Sequence, residues 1–563
     1  MKKPNLLVCC FALALQLACS SSTPSSTDQG GSAGVVAGSG GNAGVAGGGG
    51  NQPTGGTSGG GASGGASVGG QAGGQGGATP STLGPPKPGS VFVHLFEWKW
   101  TDIATECETY LGPSGFTAVQ VSPPSEHAEI AGHPWWQRYQ TVGYELDQSR
   151  SGTLAEFKDM VQRCAKVGVG IYVDTVVNHM TAQSSSVGSN GTHYTKYEYP
   201  GLWTQTDFHQ PPCTIADTDY AQNADHVRVC ELVGLADLNT SNDTVRDKIA
   251  GYLSSLVDMG VAGFRMDAAK HMYPADVDAI LSRVNQHAGA GHLPFFFLEV
   301  IDNGSEAIKS SDYLLVGQSS NNPAYITEFK YASLFDSIVS SGLAAFRGLN
   351  TSTGYLPSER AVAFTTNHDT ERASAIFYQD GKLYDIATAF LLTFPYGYPS
   401  LMSSYAFDRS VAAGHDVGPP SGMPGVTSPV FAPGSTTPAC MPDSTSAQGG
   451  WICQHRKAFV PRLLAFRKAT ASNTAITNYW DDSANALAFG RGDKGFVVIN
   501  RGDAPLTHTF TTSLAAGTYC DVFAGSLDAG KCTGPSVTVD AGGMASANVA
   551  ANSVLVIYGG AKL

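Results

Sequence analysis

The sequence predicts an α/β protein: a (β/α)8 TIM barrel with a small domain inserted after strand 3 and a C-terminal antiparallel β-sandwich. Three observations predict it. Eight short apolar runs recur between residues 91 and 405, segments of helical spacing separate them, and past residue 471 that alternation gives way to β-type runs between turns. Strand followed by helix, repeated, is the pattern of a parallel α/β barrel.

The runs are VFVHLF (91–96), AVQVSPP (118–124), GIYVDTVVNH (170–179), GFRMDAAKH (263–271), FFFLEV (295–300), YITEF (325–329), AVAFTTNHD (361–369) and YPSLMSSY (398–405). Between them, TLAEFKDMVQRCAKVG (153–168) and DTVRDKIAGYLSSLVDMG (243–260) place apolar residues three and four apart and stop at Gly, as amphipathic helices do. The barrel is expected over 89–179 and 237–470. The irregular, Tyr/Gly/Thr-rich stretch 180–236, with two cysteines, is the expected insertion. Residues 471–563 hold NALAFGRG, GFVVINRG, THTFTT and SVLVIYG, the expected sandwich.

At 563 residues the chain exceeds what one core usually supports, and its first part is not built to fold. Lys2 and Lys3 precede an apolar run from Leu6 to Ala18 that is too short to span a bilayer, so 1–19 reads as an export signal. Cys19 resembles the lipidated residue of a bacterial lipoprotein, with ordinary signal cleavage as the alternative. Residues 20–88, dominated by Gly, Ser, Ala and Thr, are a disordered tether by composition. An exported, extracellular or surface-anchored protein with no transmembrane span is therefore expected. A net charge of -13 argues against nucleic acid and anionic lipid and leaves a neutral polymer as the easier partner.

In such a barrel, catalytic groups sit at the carboxyl ends of strands. Three runs end in acids: Asp267, Glu299 and Asp369. Cleaving a glycosidic bond needs one carboxylate to attack or stabilise the anomeric carbon and one carboxylic acid to protonate the leaving oxygen. Arg265, two residues before Asp267, points to the same strand face and is expected to keep Asp267 ionised, as suits a nucleophile. Glu299 follows three phenylalanines and a leucine, and desolvation there suits a general acid. A lone acid at a strand end is more often a helix cap or a surface ion pair; three together point to chemistry.

The stretches DTVVNH, GFRMDAAKH, LEVID and FTTNHD resemble, in order, the four characteristic motifs of the α-amylase family. FEWKW, QVSPPSEH, WWQRYQ, GLADL and YGYPSLMSSY are similar to its animal-type branch, which includes bacterial secreted members. The resemblance covers residue 90 to the C-terminus. It implies a retaining endo-hydrolase of internal α-1,4 bonds in starch, glycogen and maltooligosaccharides. Asp267 would form the glycosyl-enzyme, Glu299 act as acid then base, and Asp369 stabilise the oxocarbenium-like transition state. A monomer is expected.

The resemblance also implies a structural Ca²⁺ held by Asn178, Asp237 and the main-chain oxygens of Arg228 and His271, which are suitable hard donors. It implies an activating Cl⁻ held by Arg265, Asn367 and Lys382. Trp135, Trp136, Tyr139 and Gln140 combine aromatic platforms with hydrogen-bonding groups, as a glucan cleft requires. His179, Lys270, His271, His368 and Arg265 join them as implied sugar contacts. Eight cysteines lie beyond the leader, an even number that favours disulfides in an exported chain. The implied pairs are Cys107–Cys164, Cys213–Cys230, Cys440–Cys453 and Cys520–Cys532.

The family's mobile Gly-rich loop after NHD is missing, because TERASAIFYQDG runs directly into the next helix. Two other readings remain: a non-catalytic glucan-binding homologue, marked by a lost carboxylate, and a related α-glucan transferase. All three acids are present, and the animal-type motifs favour the hydrolase.

Overall fold

The structure, a computed structural model, describes residues 86–347, 349, 354–373, 375–423 and 425–563. The expected signal, and the expected tether except for its last three residues, lie outside the described residues.

The eight apolar runs all form strands: β1 Phe92–Leu95, β2 Ala118–Val121, β3 Gly170–Thr175, β4 Gly263–Met266, β5 Phe295–Leu298, β6 Tyr325–Thr327, β7 Ala361–Phe364 and β8 Tyr398–Ser403. Each pairs in parallel with its sequence neighbours, and β8 closes on β1. Parallel strands in a barrel are covered on both faces, which is why they read as continuous apolar runs.

The barrel interior is layered. Phe92, Tyr172, Phe295, Phe297 and Tyr398 fill its lower part with packed rings. Gly263 makes room for that layer, since a Cβ there would lie 2.5 Å from the Phe295 carbonyl oxygen and 2.9 Å from the Tyr172 ring. Two residues further along the same strand faces, His94, Gln120, Asp174 and Arg265 make a polar layer.

The helices outside are specified locally. In α1 (Leu154–Lys166), the Thr153 hydroxyl accepts from the Glu156 N–H at 3.3 Å and the Glu156 carboxylate accepts from the Thr153 N–H at 2.8 Å. That capping box is followed by a buried stripe of Phe157, Met160, Val161 and Cys164. In α2 (Asp243–Asp258), Asn242 caps the Thr244 N–H at 2.9 Å, and Val245, Ile249, Leu253 and Leu256 face the core.

The insertion leaves after β3 as the hairpin Ser185–Val187/His193–Thr195 and two short helices, Asp219–Gln222 and Ala224–Val229, around buried Tyr199, Trp203 and Phe208. It is laced to the barrel where it leaves and where it returns: Met180 N–H donates to the Ala236 carbonyl at 2.9 Å, and Leu238 N–H to Asn178 at 3.0 Å.

Helix α3 (Pro274–Ala288) connects β4 to β5 and packs against α2; α4 (Lys382–Thr393) and α5 (Val460–Ala469) lead toward the C-terminal part. There β9 Thr477–Asp481, β10 Ala486–Arg491, β11 Gly495–Asn500, β12 Leu506–Thr511, β13 Gly517–Cys520, β14 Ser536–Val539, β15 Met544–Val549 and β16 Ser553–Tyr558 form two antiparallel sheets. Their orders are β9-β10-β11-β16 and β12-β15-β14-β13. Alternation along β11 explains the packing. Phe496 and Val498 face the other sheet with Phe510, Val537 and Ala547, while Val497 and Ile499 join the main core. Arg467 donates to the Phe394 carbonyl at 2.8 Å and Arg491 to Thr393 at 2.6 Å, satisfying carbonyls that the end of α4 leaves without helical partners.

All four implied disulfides are formed.

Candidate active site

Asp267 and Glu299 follow the last residues of β4 and β5, and Asp369 lies on the loop after β7, so the fold brings three distant acids to one open cleft at the strands' carboxyl ends. Their side chains are only 11%, 8% and 6% exposed. Beneath them lies Arg265. Its Nη1 donates to Asp174 Oδ1 at 2.6 Å and to Asp267 Oδ1 at 2.8 Å, and its Nη2 is bonded to Glu299 Oε1. Glu299 Oε2 accepts from the Ala268 N–H at 2.9 Å. One rigid fork thus fixes both principal carboxylates relative to each other.

The expected electrostatic balance needs correcting. Burial pushes the Asp267 carboxyl well above its usual range; Arg265 is the largest opposing influence, and the charges of Glu299, Asp174 and Asp369 add to the rise. Asp369 is pushed up to about 8 by burial and then by Glu299. Arg265 alone therefore does not set the charge of Asp267, because several carboxylates share one guanidinium and cannot all ionise at once.

The cleft wall contains most of the expected sugar contacts: Trp135, Trp136, Tyr139, Gln140, His179, Lys270, His271 and His368. Trp135 Nε1 donates to the His415 carbonyl at 2.7 Å and Trp136 Nε1 to Asp416 Oδ1 at 2.9 Å, which fixes both indoles. The Tyr139 hydroxyl donates to Asp174 at 2.9 Å and its ring stacks on His368 with centroids 5.1 Å apart. His179 Nε2 is 3.1 Å from the Tyr139 carbonyl, and Lys270 is ion-paired with Glu306.

Two expectations fail on placement. Arg265 sits beneath the acids, 3% exposed, where they occupy its fork, so it does not face the cleft as a sugar contact. Lys382 is exposed on the first turn of α4 and lines neither the cleft nor the small cavity that Arg265 and Asn367 share. A basic residue in a helix-start sequence carried no information about which way it would face. Sequence reasoning also missed Asp174, the opposite number of Arg265 in the β3–β4 register, and the cleft residues Tyr220, Glu306, Arg372 and Asp416. Only Asp174 had a usable signal, its place on the inward face of β3.

Asn178 and Asp237 also meet. Asn178 Nδ2 donates to Asp237 Oδ1 at 3.2 Å, and Asp237 Oδ2 is 2.7 Å from His209 Nδ1. Arg228 lies in the last turn of helix Ala224–Val229, whose end carbonyls have no helical partner, and the His271 ring bonds the adjacent Val227 carbonyl at 2.9 Å. Among the described residues no three His, Cys, Asp or Glu side chains gather as a metal site. A buried carboxylate, an amide oxygen and main-chain carbonyls are nevertheless donors of the type a hard divalent cation takes. The anion is different: of its three implied ligands, the structure keeps only Arg265 and Asn367 together.

Acids clustered at the carboxyl end of a parallel barrel, beside fixed aromatic rings, are the equipment of a glycoside hydrolase. Comparison with known proteins narrows this. The family profile "Alpha amylase, catalytic domain" matches residues 105–338, and "Alpha amylase, C-terminal all-beta domain" matches 478–560. Pancreatic alpha-amylase of Sus scrofa is 41% identical over 503 residues, 84% of this chain and 94% of that protein. Alpha-amylase 2B of Homo sapiens is 40% identical over 502 residues, again 84% and 94%. The crystal structure of wild-type alpha-amylase I from Eisenia fetida superposes with a TM-score of 0.74 at 37% identity, covering 84% of this chain and 98% of that one. The chain belongs to the α-amylase family, and these relatives are animal proteins.

Proposed function

We propose that the chain hydrolyses internal α-1,4-glucosidic bonds of starch, glycogen and maltooligosaccharides with retention of anomeric configuration. The observation that carries this reading is the placement of Asp267 and Glu299 on one Arg265 fork, facing a cleft that Asp369 also lines. Two carboxylates held so closely suit the roughly 5–5.5 Å separation of retaining enzymes and not the wider gap that admits a water in inverting ones.

In the first step the ionised Asp267 attacks the anomeric carbon while protonated Glu299 gives its proton to the leaving oxygen. In the second, Glu299, now a carboxylate, takes a proton from water, whose oxygen displaces Asp267. Asp369 stabilises the cationic transition state. Trp135, Trp136 and Tyr139 receive sugar rings, and Gln140, His179, Lys270, His271 and His368 bond hydroxyls. A calcium ion held by Asn178, Asp237 and the carbonyls of Arg228 and His271 would pin the insertion to β3 and so shape the cleft.

This division gives a barrel of 89–179 and 237–470, an insertion of 180–236 and a sandwich of 471–563. Export follows from the leader's sequence and is supported by four disulfides, which persist in oxidising compartments. The Cys19 lipoprotein anchor and bacterial origin rest on the leader sequence alone. No helix among the described residues is long and apolar enough to cross a membrane.

The test is digestion of soluble starch by the purified chain, followed by product size and reducing ends, with Asp267→Asn as the control. Rapid loss of polymer length with Asp267→Asn inert supports the reading. Absence of reducing ends from the unaltered chain rejects it.

A further inference from the structure

Beneath the catalytic cleft, Arg265 and Asn367 share a second cavity of about 20 Å³ with His94, Thr366, His368 and Ser400 on its wall. A water needs roughly 10–15 Å³ by the same measure, so the space suits one small guest. An anion there would find a single cation. That cation, Arg265, is already bonded to three carboxylates, those of Asp174, Asp267 and Glu299. His94 and His368 offer no second positive charge, because burial and then Arg265 hold both far below the ordinary imidazole range. Ser400, on β8, is uncharged, and Lys382 is exposed elsewhere. The Asn367 side-chain oxygen accepts the Asp369 N–H at 3.1 Å and the Thr370 N–H at 2.8 Å, so Asn367 can offer a guest only its neutral NH2 group and no charge. A halide would compete with the ionised carboxylates for one guanidinium, with no second cation on the wall to balance it.

What the cavity does offer is suited to water. His94 Nε2 and His368 Nδ1 are buried and have no protein partner. Phe297, Val362, Phe364, Leu401 and Met402 make much of the wall apolar, but the two ring nitrogens with Gln120, Thr366 and Ser400 give one water several partners, and a buried water typically makes about three hydrogen bonds.

We infer that this cavity holds water in place of chloride and that Arg265, anchored on Asp174, organises the acids without a bound anion, so that glucan hydrolysis by this chain does not require a halide. The inference rests on the hydrolase reading and departs from the resemblance that suggested an anion. Its test has two arms. The full chain is exchanged into chloride-free acetate buffer and its rate on starch measured with and without added chloride; separately, its crystals are soaked in bromide and examined for anomalous scattering. A rate unchanged within about twofold and no bromide peak between Arg265 and Asn367 are the expected results. Greater activation by chloride, or a bromide peak at that position, overturns the inference. If no reducing ends appear in either buffer, the hydrolase reading has failed, and the bromide arm still decides what the cavity binds.

Discussion

Arg265 and Asp174 stand directly opposite each other on β4 and β3, with Nη1 2.6 Å from Oδ1, and from that anchored position the same guanidinium reaches Asp267 and Glu299. Asp174 is completely buried and also accepts the Tyr139 hydroxyl at 2.9 Å. The pair therefore acts as the platform on which the cleft's acids are mounted.

Arg265→Leu strands those carboxylates without a counter-charge, and breaking a buried pair costs about 3–5 kcal/mol. Urea unfolding is expected to show a loss of that size, together with loss of activity. Arg265→Lys keeps the charge but cannot hold three carboxylates in one planar fork. Its expected signature is a large fall in kcat with a much smaller change in the unfolding midpoint.

Glu299→Gln removes the proton donor while keeping the shape. General acid–base catalysis contributes about 10²–10⁴-fold, and kcat is expected to fall by that factor. Maltooligosaccharide affinity measured by calorimetry should stay within a few-fold, because the rings and hydroxyl contacts are untouched.

Chelation tests the Asn178–Asp237 set. A ligand present at about 1,000 times its Kd stabilises by about 4 kcal/mol, so calorimetric melting of the chelated protein should shift down and recover with calcium. In Asp237→Asn, which lacks the one carboxylate of the set, the melting temperature is expected to lose most of its response to chelator.

Asp521 gives a pH signature away from the cleft. Burial raises its carboxyl to about 6, against hydrogen bonds from the Val556 and Phe523 N–H groups, both at 3.0 Å. An acid whose folded pKa is raised binds more protons folded than unfolded. Its contribution to stability is therefore lost as pH rises from about 4, the ordinary value, to about 6. Asn can accept the same two N–H bonds without ionising, so Asp521→Asn should flatten the stability–pH slope across that window in urea titrations.

Much of this was readable in the sequence for a physical reason. Strands covered on both faces must be apolar throughout, so β1 to β8 stood out as runs, and the acids were visible because each breaks such a run at its end. Asp174 was passed over because it lies inside a run, although its place two residues after Tyr172 puts it on the inward face of β3, where the register sets it opposite Arg265. Tyr220, Glu306, Arg372 and Asp416 reach the cleft from loops, where no periodicity marks direction. In the sandwich, β9, β13, β14 and β15 were not among the runs singled out; the last three are rich in Thr, Ser, Gly and Ala and lack the bulky alternation of β11 and β16. Lys382 was assigned by the resemblance, and a matched position does not by itself give the direction of a side chain on α4.

The central claim is that Asp267 and Glu299, held on one guanidinium, cleave with retention. Proton NMR of the anomeric signals during the first minutes of maltooligosaccharide hydrolysis tests it most directly. The account predicts that the new reducing ends appear as the α-anomer and only later mutarotate; initial formation of the β-anomer would contradict it.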